Sequence, residues 1–99
     1  MDTVLNPTIF SRIFIRIIKE QENIIGPLAW GEASKVEGVA KVSREYSEVS
    51  FVGDPKAAIN KLVERYEQLF GKLSREVSRE AVMDLMSELS ASDIPNSLR

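Results

Sequence analysis

The strongest constraint on the fold is one run of apolar residues. Ile9, Phe10, Ile13, Phe14, Ile17, Ile18, Ile24 and Ile25 recur at helical spacing, with Arg12, Arg16, Lys19 and Asn23 between them. At about 100° per residue these positions form an apolar face about 180° wide. That is broader than a coiled-coil seam and suits a helix built into a core. Asn6 is placed to cap this helix, and Pro7 fits its first turn, where a missing N–H breaks no internal bond. The many β-branched residues lower helix propensity, so burial has to offset that cost. Ile15 falls outside the apolar arc, toward the charged side, and is expected to be exposed in a contact with another chain.

The segment "GPLAWGEASKVEG" predicts a second, short helix from Pro27 to Val36, started by Gly26-Pro27, stopped by Gly38 and lined on one side by Leu28, Ala29, Ala33 and Val36. Beyond Gly38 the period changes. Val49 and Phe51 alternate with Glu48 and Ser50, which predicts short strands near 39–43 and 47–52 joined as a hairpin. Asp54-Pro55 then opens a third helix that Gly71 stops, with Ala58, Ile59, Leu62, Val63, Tyr66, Leu69 and Phe70 on one side. A fourth helix, from about Ser74 or Ser78 to Leu89, turns Val77, Ala81, Val82, Leu85, Met86 and Leu89 inward. The expected fold class is therefore α+β, mostly α: helix, helix, short β-hairpin, helix, helix in a single small domain. Residues 1–8 form an N-terminal arm in this reading, 9–89 the globular domain, and 90–99, with its turn formers and proline, a flexible C-terminal tail.

Composition narrows the function classes. Ninety-nine residues suffice for one core. A hydrophobic fraction of 43% with 28% charged residues argues against wholesale disorder. The chain has no histidine and no cysteine, which removes the usual proton shuttle, the soft nucleophile, disulfides and thiolate metal sites. No apolar stretch predicts a signal peptide or a membrane span, so the cytoplasm is the expected location. A net charge of −2 gives no global attraction to nucleic acid or anionic lipid. Glycines 26, 31 and 38 fit neither phosphate-loop pattern. No cofactor and no small-molecule substrate is inferred, and the chain is not expected to be an enzyme.

Two charge ridges remain. Glu76, Glu80, Asp84 and Glu88 follow one another at intervals of four, which stacks them along one side of the fourth helix as a docking ridge or a solvated face. One helix cannot surround a hard cation with about six oxygens, so a metal site is disfavoured. Arg12, Arg16 and Lys19 form the opposite ridge on the first helix, and the two are expected to meet within a chain or between two. Trp30 is expected half-buried at the domain edge as a partner anchor, beside Gly31, whose missing side chain suggests close approach of another group. Residues 33–46 loosely resemble a helix-turn-helix bearing Lys41 and Arg44. The reading that results is a non-enzymatic protein–protein interaction or regulatory module, dimeric or docked on a larger protein. Its alternative is a small DNA-binding regulator using that degenerate helix-turn-helix.

Overall fold

A computed structural model describes residues 7–99. The elements are α1 (Pro7–Ile25), α2 (Leu28–Ala33), β1 (Val39–Ser43), β2 (Glu48–Phe51), α3 (Pro55–Phe70) and α4 (Leu73–Ala81). Three 3₁₀ segments follow, Met83–Glu88, Ala91–Asp93 and Asn96–Leu98. The class is α+β and mostly helical, with a two-stranded antiparallel hairpin. The expected arm of residues 1–8 lies outside the described residues, except for its last two positions, which are already part of α1.

Helix α1 is the spine of the core. Ile13, Phe14, Ile17 and Ile18 are fully buried, against Ala58, Ile59, Leu62, Val63 and Tyr66 of α3 and Val82 and Leu85 beyond α4. The hairpin packs against α1 through β2, where the Phe51 ring meets Phe14 edge-on at 5.4 Å and 80°. Asp54 caps α3 through its carboxylate, which accepts the Lys56 N–H at 2.9 Å, and Pro55 occupies the first turn. The hairpin register is Lys41↔Ser50, Val42↔Val49 and Ser43↔Glu48, with one extra residue between Val39 and Lys41. Gly38 precedes it with φ 96°, and its carbonyl accepts the Val52 N–H at 2.8 Å. An alanine there would be strained, and its methyl would lie 3.4 Å from the Ala58 Cβ.

Three expectations change. The fourth helix ends at Ala81, because Val82 leaves the helical region (φ −120°, ψ 9°) and the chain tightens into 3₁₀ turns. Spacing of three then governs burial, so Val82 and Leu85 face inward while Val77, Ala81, Met86 and Leu89 are only half-buried. Within α4 itself the buried residues are Ser74 and Ser78. These small side chains admit the buried Gln21 amide of α1, whose Nε2 donates to the Ser74 carbonyl at 2.9 Å and to Ser78 Oγ at 3.2 Å. The segment 90–99, expected to be flexible, folds back onto α3. Pro95 and Leu98 are buried, and Asn60 Oδ1 accepts from both the backbone N–H (2.9 Å) and the hydroxyl (2.6 Å) of Ser97. The turn formers in that segment shape short 3₁₀ turns that bring these apolar residues down onto the helix.

Gly31 is the third correction. It lies in α2, yet a Cβ built on it meets nothing within 4 Å, so no group approaches it closely. Gly31→Ala is therefore expected to stabilise the fold by about 1 kcal/mol through helix propensity alone. Urea unfolding followed by circular dichroism measures this, and a loss of stability would restore the close-packing argument.

Candidate functional site

The two charge ridges meet within the chain. Arg12 pairs with Glu88 at 3.1 Å, and Arg16 pairs with Asp84 at 2.9 Å while also donating to the Ala81 carbonyl at 3.1 Å. The four carboxylates do not form one ridge, because α4 stops between Glu80 and Asp84. Glu76 pairs locally with Arg79 at 3.0 Å. Glu80 lies instead beside a shallow groove shared with Glu20, Asn23, Ile24, Val77 and Ala81. Lys19 is exposed and pairs with no carboxylate among the described residues.

Ile15 is not exposed. Only 7% of its surface is accessible, because the hairpin extends the covered arc of α1 beyond the stripe that periodicity marks out. Trp30 is likewise core rather than edge, 7% exposed, with its Nε1 donating to Glu22 Oε1 at 2.8 Å. No helix-turn-helix forms over residues 33–46, since the segment after Gly38 is strand β1. The β-branched residues of Val39–Ser43 pair with β2 instead of starting a second helix. Lys41 is exposed on that strand, and Arg44 in the hairpin turn pairs with Glu22.

The surroundings of Glu22 and Glu32 alter the chemistry of these two carboxylates. The Trp30 indole N–H, and after it Arg44, hold Glu22 below the usual carboxylate range. A hydrogen bond from Arg65 Nε at 2.7 Å, helped by Lys35, does the same for Glu32. Burial pushes the Tyr66 hydroxyl well above its ordinary value, and this hydroxyl donates to the Ala29 carbonyl at 2.7 Å. These contacts tie α2 to α1 and α3, and the hairpin turn to α1. Both carboxylates have depressed folded-state values, so their stabilisation is present above the unfolded value of 4.5 and lost as pH falls through the folded one. Unfolding between neutral pH and pH values below 4.5 is expected to show declining stability, with a shallower decline in Glu32→Gln. An unchanged pH slope in that variant would remove Glu32 from the account.

The surface feature that sequence periodicity misses is apolar. Ile24, Leu28, Leu69 and Phe70 belong to stripes expected to face inward, yet they are 63%, 52%, 50% and 37% exposed, and Leu73 is 80% exposed. All five lie at or near the α1–α2 and α3–α4 connections. These connections share one end of the molecule, as the Gln21–Ser74 and Tyr66–Ala29 hydrogen bonds establish. The stripes of α1 and α3 run past the core and leave an apolar cap. Leu73 had one signal in the sequence, an apolar residue directly after the Gly71-Lys72 stop and outside any stripe.

Among the described residues no three of His, Cys, Asp and Glu gather closely enough to hold a metal ion. No helix among them is long and apolar enough to cross a membrane. Compared with protein-family models, curated proteins and solved structures, the chain matches none.

Proposed function

We propose that this chain is a non-enzymatic protein-interaction or regulatory module that docks on an apolar surface of a larger protein through the cap formed by Ile24, Leu28, Leu69, Phe70 and Leu73. The observation that carries this reading is that five large apolar side chains beside the α1–α2 and α3–α4 connections are exposed, and that hydrogen bonds bring those two connections to the same end. Contiguous apolar surface is costly to leave in water and marks interaction sites on soluble domains. The charge ridges, by contrast, are largely spent on each other inside the chain, which leaves the cap as the better docking surface. A chain without cysteine suits a reducing compartment, and the cytoplasm is the location this reading assigns.

A photo-reactive residue placed at Leu73 or Leu28 in cells is expected to give one discrete cross-linked adduct. The same residue at Glu64, on the solvent side of α3, should give none. Leu69→Lys should abolish the adduct while circular dichroism shows the fold retained. Adducts of equal yield at all three positions, or none at the cap, would overturn the reading.

A further inference from the structure

We propose that the free edge of β2 pairs with the β2 edge of a second copy of this chain, antiparallel, about a two-fold axis through Ser50. This surface is separate from the apolar cap. Among the described residues the sheet has two strands, so β2 has β1 on one side and none of them supplies a strand on the other. The Val52 N–H donates to the Gly38 carbonyl across the Val39↔Phe51 pair, which makes that pair the non-hydrogen-bonded kind. The N–H and C=O of Phe51 therefore point away from β1. By the period of two, those of Val49 do as well.

The outward groups border open space. A groove of about 530 Å³ runs between α1 and Ser47–Ser50, with Ile15 beneath it. A second of about 580 Å³ continues past Phe51 to Gly53 and Pro55, with Phe10 beneath it. Both are lined by Ser11, Val49 and Ser50, so they form one trough along the strand edge. An unpaired edge beside such a trough is a template for an added strand.

Charge selects the occupant. Among the described residues, the Ser47 end of the trough is lined by Arg12, Arg16 and Lys19 with one carboxylate, Glu48, and the far end by Asp54 and Asp93 with one cation, Lys56. Arg12 and Arg16 already hold carboxylates of their own, so Lys19 has most to gain. A two-fold axis through Ser50 lays the basic end of each trough against the acidic end of the other, without any second sequence being required. The same axis sets Val49 opposite the partner's Phe51, and Phe51 opposite the partner's Val49. Each pair can then exchange two N–H···O bonds. The four-stranded sheet that results is no longer the marginal two-stranded one.

Sedimentation equilibrium on the full chain is expected to show a dimer. Val49→Pro removes an outward N–H along with a half-buried valine side chain, and should weaken dimerisation roughly tenfold or more by deleting a hydrogen bond on each side of the axis. Its helix content should stay unchanged. Lys19→Glu should also weaken the dimer, and combining it with Asp93→Lys should restore it. Leu73→Lys, in the cap, should leave the dimer intact, so loss of cap docking and loss of strand pairing are read separately. A wild type that stays monomeric up to about 1 mM, where association is weaker than about −4 kcal/mol, would overturn the proposal. So would a dimer insensitive to both Val49→Pro and Lys19→Glu, or one that Leu73→Lys alone dissolves.

Discussion

Trp30→Ala is expected to lower the unfolding free energy by about 3–5 kcal/mol, the range for truncating a buried aromatic residue. Two losses combine. The indole is 7% exposed within the core cluster, so its removal leaves a cavity beneath α2. Its N–H also holds Glu22, so the carboxylate retains Arg44 but loses the indole donor on its other oxygen. Since a domain of this kind has about 5–15 kcal/mol of stability in all, the variant should sit close to half-unfolded at modest urea concentrations. Trp30→Phe separates the contributions, because it keeps most of the buried ring and loses only the donor. A loss below about 1 kcal/mol for Trp30→Ala would be that of a surface residue and would place the side chain outside the core.

Gln21→Glu should be comparably damaging at neutral pH, although the two side chains are nearly the same size. The amide is 1% exposed and donates to a carbonyl and a hydroxyl in α4. A carboxylate there would face the Ser74 carbonyl oxygen with no donor, as a buried charge without a partner, at a cost of about 3–5 kcal/mol. Burial raises the pKa of the introduced acid, so the penalty is absent below its unfolded value and grows as pH rises. Urea midpoints at pH 4 and pH 7 test the sign. The variant should approach wild type at the lower pH and fall away at the higher. Equal deficits at both values would mean that geometry, and not charge, is the cause.

The elements themselves were largely legible in the sequence, because each is announced by local chemistry. The helical spacing of α1, the Asp54-Pro55 start of α3, the Gly71 stop and the alternation in β2 all act over a few residues. Position in the assembled fold was less legible. Ile15 is off the apolar stripe of α1, and only the hairpin, folded over it from more than thirty residues away, covers it. Leu69 and Phe70 continue the stripe of α3, but the core ends before they do. Helix four illustrates a different limit. Its apolar spacing extends through Leu89, and nothing in that spacing marks the change to 3₁₀ at Val82. The basic ridge of α1 was visible, but the acidic ridge breaks at Val82, so the pairing of Arg12 with Glu88 and Arg16 with Asp84 does not follow from the helical interval. Which side chains the arginines meet depends on that unforeseen break.

Helix α2 is only six residues long and has no side-chain cap at its N-terminus, with the Ser34 hydroxyl donating to the Gly31 carbonyl at its other end, and it is too short to persist on its own. Its carbonyl at Ala29 and its carboxylate at Glu32 are held by Tyr66 and Arg65 of α3, and its indole at Trp30 by Glu22 of α1. The segment therefore has no private opening reaction. Its amides become accessible to solvent exchange only when α1 or α3 lets go, so α2 belongs to the same cooperative unit as the longest helices of the domain, despite being the shortest.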